Sequence, residues 1–501
     1  MLERRVIEEE SKIRYDDTPI SVYVEQIGAR VRELGRVGFT TLFDNASQRS
    51  RIISIFLAIL ELLRHHGFHA DQADAFGEIW ILPPDVGQVS NLPEQAGQVE
   101  NLPHEKTGVR MNVNSRLTEW HPEMTAWRRE LHAHPQTAFE ETFASELVAS
   151  KLQAWGIETH RGLAKTGVVG VIRGKQTGNA RLRNIGLRAD IDALDIEEQN
   201  DVPHRSQNPG KMHACGHDGH TTMLLGAARY LAESRNFAGT INVIFQPAEE
   251  NEGGGRVMVE EGLFNQFPCD AVFGMHNWPG MPVGHFGVRS GPIMAAFDVF
   301  EIIVRGHGTH AAMPHLGIDP IVTAAQIVTA LQTIASRNTN PLDQIVLSIT
   351  QFHGGDTWNV IPTEVKLRGT VRTFRSEVQD MAEAHMRRIV SGIATSLGAS
   401  AELHYDRRYP ATVNTLQETQ WAAEAAADVV GQQHVDTNVA PCMGGEDFSF
   451  LLQERPGCYL WAGNGPSENG RVLHNPRYDF NDELLPIGAS YWVRLAERLL
   501  N

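Results

Sequence analysis

The feature that most constrains the fold of this 501-residue chain is a regular alternation of short apolar runs with longer amphipathic stretches. Stretches with a helical spacing of apolar residues separate runs rich in Val, Ile and Phe, which lie at 167–173, 184–188, 240–245 and 271–275. Such alternation predicts an α/β fold, in which helices cover both faces of a sheet. A chain of this length also exceeds what one hydrophobic core usually organises, so we expect several domains.

A different order of elements interrupts this alternation between residues 295 and 408. The pattern there is strand, helix, strand, strand, helix, strand, which is the βαββαβ order of a ferredoxin-like unit. The first pattern then resumes. We therefore predict a small ferredoxin-like domain at 295–408 that is inserted between two parts of a larger α/β domain, 112–294 and 409–501.

The first 111 residues follow neither pattern. Residues 1–83 combine an apolar helical stretch at 50–64 with a hairpin-like segment at 76–81, which is typical of a small winged-helix domain. Residues 84–111 are polar and contain a tandem repeat, with copies at 87–93 and 97–103. Because two copies are too few to build a solenoid, we predict that this segment is a linker.

Charge and cysteine content restrict the function classes. The formal net charge of −17 disfavours broad attraction to nucleic acid, and we expect no nucleic-acid partner. The four cysteines are far apart in a chain without a secretory start, which favours the reducing cytoplasm. The longest apolar run, Ile52 to Leu63, is interrupted by Glu61 and is too short to span a bilayer, so we expect no membrane anchor.

The densest group of reactive side chains lies between Met212 and His220. This segment contains three imidazoles, one thiol and one carboxylate, directly before a helical stretch. Imidazole nitrogen and thiolate sulfur are good ligands for divalent transition metals, and two glycines allow a tight turn that directs several side chains inward. The segment predicts a metal site, and a polar loop with an incidental cysteine is the alternative.

Three further clusters end apolar runs or lie in polar segments. One run ends in the adjacent carboxylates Glu249 and Glu250, of which one can bind metal while the other accepts a proton. Another ends at His276, and His474 lies near the C-terminus. Taken singly, a solvated acidic loop and structural histidines are the alternatives. Together the clusters favour a metal site at the strand ends, where open α/β sheets place their ligands.

The order of these motifs resembles the hippurate hydrolase and N-acyl-amino-acid amidohydrolase branch of the aminoacylase/carboxypeptidase metallopeptidase superfamily. The resemblance extends from about residue 117 to the C-terminus. It rests on the segments Trp127 to Pro135, Leu187 to Leu194, Cys215 to Asp218, Pro247 to Glu250, Gly274 to His276, His310 to His315, Gly444 to Phe448 and His474.

This resemblance implies a metal-dependent amidohydrolase that cleaves N-acyl amino acids, or small related peptides, through a metal-activated water. It implies a metallopeptidase-type α/β catalytic domain and two divalent ions per subunit, Mn²⁺ or Zn²⁺, with Co²⁺ or Ni²⁺ as alternatives. Glu249 is the implied general base, and Asp192 is expected to orient a ligand histidine. The implied metal ligands are Cys215, His217, Glu250, His276 and His474.

The resemblance also assigns roles to the inserted domain, as a dimerisation domain and lid of a homodimer. His310 is the implied donor to the developing oxyanion, reaching across from the partner subunit, and a surface histidine is the alternative. Asn359 and Arg372 resemble residues near the α-carboxylate of the substrate. A guanidinium fork suits a carboxylate geometrically, although a structural strand arginine is the alternative for Arg372.

Residues 20–80 resemble the C-terminal winged-helix domain of segregation and condensation protein A, the bacterial kleisin. This implies contact between the N-terminal domain and a condensin-type ATPase. Two other function classes compete with an enzyme, namely a chromosome-organisation adaptor with a passive amidohydrolase body, and a binding protein for metals or acyl peptides. The presence of Glu249 beside a full set of candidate ligands favours the enzyme.

Overall fold

The computed structural model of the protein describes residues 20–43, 49–65, 67–71, 78–83 and 111–501, except positions 179 and 251. The chain forms two compact units, residues 1–105 and 106–501. The tandem repeat and residues 76 and 77 of the expected hairpin lie outside the described residues. In the described ranges, every helix falls short of the length or apolar character that a membrane-spanning segment needs.

The described part of the first unit contains two helices and a small sheet. Its elements are α1 (Ile20–Leu34), β1 (Val37–Gly38), α2 (Arg49–His65), β2 (His69–Asp71) and β3 (Trp80–Leu82). The strands form an antiparallel sheet in the order β1-β3-β2. Val31, Ile59 and Ile81 bring α1, α2 and β3 into one buried core. The winged-helix resemblance of this unit stays a prediction.

The second unit contains the catalytic and inserted domains expected from the sequence. Its strands are β4 (Glu158–Leu163), β5 (Gly167–Arg173), β6 (Asn184–Asp190), β7 (Thr240–Gln246), β8 (Ala271–Trp278), β9 (Phe286–Gly287), β10 (Gly291–Met294), β11 (Ala296–Arg305), β12 (Thr309–His310), β13 (Ile345–His353), β14 (Val360–Ile361), β15 (Glu364–Thr373), β16 (Ser400–Tyr409), β17 (Thr412–Asn414), β18 (Val435–Asp436) and β19 (Gly457–Gly463). Its helices are α3 (Ser115–Glu119), α4 (His121–Ala133), α5 (Thr142–Ala154), α6 (His217–Ser234), α7 (Gly254–Glu260), α8 (Leu263–Gln266), α9 (Pro320–Thr333), α10 (Ser376–Ser396), α11 (Leu416–Val430), α12 (Phe448–Glu454) and α13 (Leu485–Leu500).

The catalytic domain is built on an eight-stranded sheet in the order β18-β9-β19-β8-β6-β7-β5-β4. Its four central strands, β19, β8, β6 and β7, are parallel, so their carboxyl ends meet at one edge. Strand side chains alternate between faces, and in β7 Val243 and Phe245 face one core while Ile244 faces the other. Helices cover both faces, which confirms the predicted α/β fold class.

The inserted domain has the predicted βαββαβ order, formed by β11, α9, β13, β15, α10 and β16. Its antiparallel sheet has the order β13-β15-β11-β16, and both helices pack on the face that carries Phe300 and Ile302. Helix α9 begins at a favourable N-terminal capping sequence. The Asp319 carboxylate accepts hydrogen bonds from the N–H groups of Ile321 and Val322, and Pro320 occupies the first turn.

The chain enters and leaves the inserted domain through adjacent strands. β10 leads into the domain and β17 leads out of it, and the two pair antiparallel, with Gly291 opposite Asn414 and Pro292 opposite Val413. The catalytic domain therefore continues on both sides of the insertion, as the sequence pattern predicts.

Candidate metal centre

The central strands and helix α6 bring the predicted ligands to one edge of the catalytic sheet. His276 lies near the carboxyl end of β8, and Glu249 and Glu250 follow the end of β7. Cys215 and His217 stand at the start of α6, with Gly216 between them in the left-handed region at φ 91°. A Cβ at Gly216 would lie 2.3 Å from Asn277 Nδ2, so this position requires glycine.

The five predicted ligands surround a shared region in two overlapping groups. Cys215 Sγ lies 3.3 Å from His276 Nε2, with the His217 ring alongside. On the other side, His474 Nε2 lies 3.2 Å from Glu250 Oε1, again next to Cys215. His217 Nε2 is 4.0 Å from the same Glu250 oxygen. The two groups share Cys215, an arrangement that suits a pair of adjacent cations.

The electrostatics of the cluster fit a cation. His217 Nε2 is buried and has no hydrogen-bond partner among the described residues, while its Nδ1 is occupied by Asp192. Burial raises the pKa of the Cys215 thiol well above its usual range, and the neighbouring carboxylates Glu250 and Glu249 raise it further. A cation there would offset both effects and would favour the thiolate. The residues present therefore fit divalent metal.

Asp192 supports this cluster from behind. Its backbone carbonyl and its Oδ1 lie 3.0 and 3.2 Å from His217 Nδ1, and its Oδ2 accepts a 2.9 Å hydrogen bond from the N–H of Glu250. These contacts fix the ring of one candidate ligand and the backbone of another. Asp192 therefore lies where it can orient His217, one of the candidate ligands.

The Glu249 carboxyl lies in a buried, carboxylate-rich environment. Burial raises its pKa well above the usual range, and the charges of Glu446 and Glu250 add to that rise. In Glu250, burial also acts to raise the pKa, but the contacts with His474, His217 and Cys215 together lower it. The two adjacent glutamates therefore differ in environment, since Glu249 is surrounded by carboxylates and Glu250 contacts histidines.

The loop that carries both glutamates is held by specific contacts. Ala248 adopts a left-handed conformation at φ 54°, which is unfavourable for a residue with a side chain. Its N–H donates a 3.0 Å hydrogen bond to the buried carboxyl of Glu141, which also accepts from the N–H of Phe139 and the hydroxyl of Thr166. Glu141 is not a residue that the sequence argument singled out.

A second buried network was also missed, although its motifs were part of the resemblance. The Arg188 guanidinium donates to Asp190 at 2.8 Å and to Asp447 at 2.9 Å. Asp190 in turn lies 2.6 Å from Nδ1 of His220, whose Nε2 accepts from the N–H of Asn277. The segments 187–194 and 444–448 belong to the resemblance, but the contact between Arg188 and Asp447 depends on the order of the strands in the sheet.

The remaining predicted residues separate into two groups. Arg372 lines the same cavity as the metal-ligand candidates, a cleft of about 480 Å³ whose wall also includes Trp278, Phe297 and Tyr409. His310 and Asn359 lie elsewhere on the inserted domain, where both are exposed. They adjoin each other, because β12 pairs with β14 and the Asn359 carbonyl accepts from the N–H of Ala311.

Comparison with known proteins places the chain in a family. Residues 186–498 match the profile of peptidase family M20/M25/M40. N-acetylcysteine deacetylase of Bacillus subtilis is 41% identical over 379 residues, covering 75% of this chain and 97% of the relative. Hippurate hydrolase of Campylobacter jejuni is 39% identical over 390 residues, covering 78% and 100%.

Solved structures agree with this assignment. The crystal structure of a dinuclear metal-binding peptidase of the M20 family from Bacillus subtilis is 37% identical, with a TM-score of 0.66 over 76% of this chain and 99% of that one. Fold, strand-end ligand cluster and relatives together define a metal-dependent hydrolase that acts on amide bonds. The chain belongs to peptidase family M20/M25/M40.

Proposed function

We propose that this protein hydrolyses the amide bond of N-acyl amino acids in a cleft that holds two divalent cations. Relatives named for hippurate and N-acetylcysteine support this substrate class. In the proposal Glu249 is the general base. The proposed ligands are Cys215, His217, Glu250, His276 and His474, which lie within reach of one another in overlapping groups.

In the proposal, Arg372 recognises the α-carboxylate of the substrate. Its guanidinium lies 3.9 Å above the centre of the Phe297 ring in the wall of the cleft, and no carboxylate of the described residues forms an ion pair with it. Burial lowers its pKa, against the opposing effects of Cys442 and Asp298. An unpaired, half-buried arginine beside a candidate metal cluster suits the free α-carboxylate of an amino acid.

The chain's own residues account for the proton transfers. Glu249 is buried within reach of the candidate ligands His217 and Glu250, where its carboxylate can accept the proton of the attacking water and pass it to the leaving nitrogen. When bound, divalent cations would polarise the scissile carbonyl and acidify the attacking water. Asp192 keeps His217 and the Glu250 backbone in place while the cleft changes charge.

The nature of the cations is part of the proposal. A site that combines imidazole, carboxylate and thiolate accepts Mn²⁺ or Zn²⁺, and Co²⁺ or Ni²⁺ as alternatives. The test is exhaustive chelation, followed by metal analysis and by assays of N-benzoyl, N-acetyl and indole-acyl amino acids after each metal is restored. We expect loss of hydrolysis and its recovery with metal. Full activity in a protein shown to be metal-free would refute the proposal.

We further propose a homodimer in which His310 acts on the partner's substrate. His310 and Asn359 are exposed and do not line the cleft of their own subunit, which supports a role across an interface. Mixing His310→Ala with Glu249→Gln protein should restore activity, since one site in each hybrid has both intact groups. Random exchange makes about half of all dimers hybrids, so about a quarter of all sites should be intact. Hybrids that form but stay inactive would contradict this role.

For the N-terminal unit we propose contact with a condensin-type ATPase in the cytoplasm. Helix α2 exposes Ile52, Phe56 and Leu60, three apolar side chains at four-residue spacing, which supports a docking face for another protein. The test is titration of the full chain and of a Phe56→Glu variant against a purified condensin-type ATPase head. Binding by both proteins, or by neither, would contradict the proposed face.

A further inference from the structure

Tyr409 joins the inserted domain to the loop that carries the proposed base. It is the last residue of β16, where the chain returns to the catalytic domain, and it is 5% exposed. Its hydroxyl donates a 2.5 Å hydrogen bond to the carbonyl of Glu249 and accepts a 3.1 Å hydrogen bond from the N–H of Gly253. Both the donor and the acceptor capacity of this hydroxyl are therefore used on one loop.

The other contacts to this loop come from the catalytic domain. Glu141 holds the N–H of Ala248, and Asp192 holds the N–H of Glu250. Because the left-handed backbone at Ala248 is unfavourable, the direction in which the Glu249 carboxyl points depends on such external contacts. Tyr409 supplies the contact that originates in the inserted domain.

Tyr409 is also connected to the proposed carboxylate-binding residue. In the inserted sheet Tyr409 is paired with Phe297, and their rings meet edge to face at 5.9 Å between centroids. The Arg372 guanidinium lies on the Phe297 ring. All three side chains line the cleft, so a contiguous path of packed groups leads from Arg372 to the backbone of Glu249.

We propose that Tyr409 is a positioning residue that couples binding of the substrate carboxylate at Arg372 to the placement of Glu249. A carboxylate on Arg372 fixes the guanidinium against Phe297, which fixes Tyr409 and thereby the Glu249 carbonyl. The inference rests on the proposed function, since it takes Arg372 as the carboxylate site and Glu249 as the base. It predicts that the carboxylate of the substrate raises kcat, in addition to lowering KM, and that the Tyr409 hydroxyl is needed for this rise.

The experiment compares two substrates that differ only at the carboxylate, N-benzoylglycine and N-benzoylglycinamide, on the metal-loaded full-length protein. Tyr409→Phe removes only the hydroxyl. We expect kcat for N-benzoylglycine to fall about tenfold, the kinetic equivalent of one neutral hydrogen bond, while kcat for the amide changes by less than about threefold. KM for N-benzoylglycine should stay within about twofold, because Arg372 remains in place.

Tyr405→Phe is the matched control. Tyr405 lies on the same strand and is half-buried, but its hydroxyl donates to Asp298 at 2.6 Å and makes no hydrogen bond to the described residues of the Glu249 loop. We expect this variant to keep the kcat of both substrates. Metal content and melting temperature are measured for both variants, so that loss of metal or of fold is seen directly.

The outcomes separate the inference from the proposed function. An equal fall of kcat for both substrates in Tyr409→Phe, or no fall, would overturn the coupling. If Tyr409→Phe loses metal or fold, the Phe297→Leu variant is measured instead. Breaking the ring contact should reduce the kcat advantage of N-benzoylglycine over N-benzoylglycinamide. An unchanged advantage would overturn the coupling. A wild-type protein that hydrolyses no N-acyl amino acid would instead refute the proposed function itself, on which the coupling depends.

Discussion

Replacing Glu141 by glutamine should change how the stability of the protein depends on pH. Glu141 is fully buried, and burial raises its pKa from the ordinary 4.5 to about 7, against the opposing hydrogen bond from Thr166. A raised carboxyl pKa means that the folded state binds the proton more tightly than the unfolded state. The folded state is therefore favoured at low pH, and this stabilisation is lost as the pH rises from about 4.5 to about 7.

The magnitude follows from the pKa difference. Each pH unit between the two values is worth about 1.4 kcal/mol, so the wild-type protein should lose about 2.5 kcal/mol relative to Glu141→Gln between about pH 5 and about pH 8. The amide preserves the geometry, because its oxygen can accept from the N–H groups of Phe139 and Ala248 while its NH₂ donates to the Thr166 hydroxyl.

The assay is urea denaturation of both proteins at several pH values, followed by far-ultraviolet circular dichroism. All other titrating groups are common to the two proteins, so the difference between their unfolding free energies isolates Glu141. A difference that stays constant within about 0.5 kcal/mol over this range would refute the argument that burial raises the pKa of this carboxyl.

Three further predictions concern the site and the domain organisation. Glu249→Gln should keep its metal and its KM but lose about two to four orders of magnitude in kcat, and a loss below about tenfold would assign the proton transfer to another group. Cys215→Ser should weaken metal binding without unfolding the protein, because a hydroxyl is a poorer ligand of similar size; unchanged metal content by mass spectrometry would remove Cys215 from the ligand set. A chain that begins at residue 106 should remain folded and active, because it keeps the hydrogen bond from the Asn112 N–H to the Val429 carbonyl, and its aggregation in light scattering would contradict this.

Much of the fold could be predicted because the pattern of apolar residues is local. The runs at 167–173 and 240–245 became β5 and β7, and the βαββαβ order was visible without tertiary information. The candidate ligands were visible for a related reason. Strand ends and the start of a helix are local features, and they converge wherever parallel strands are adjacent.

The residues that the sequence argument missed depend on contacts between distant segments. Glu141 reaches Ala248 over more than a hundred residues, and Arg188 reaches Asp447 over more than two hundred. In the sequence, Tyr409 resembles any other strand tyrosine, and only the return of the chain from the inserted domain brings it to the loop that carries Glu249. Such partners cannot be inferred from spacing, because nothing in the local sequence records which segment lies opposite.

The adjacent entry and exit strands of the inserted domain have a consequence for how this architecture could arise and be altered. Because β10 and β17 pair directly, the insertion is connected to the catalytic domain like a single long loop. The ends of this loop are held together by the two paired strands. The entropy of closing a loop grows only slowly with its length, so a domain at this point adds little to the cost of folding its host. Exchange of the segment between these strands for a short turn should leave a folded catalytic domain. The inserted domain is thus one genetic unit that can be gained, lost or replaced among relatives without changing the candidate metal ligands.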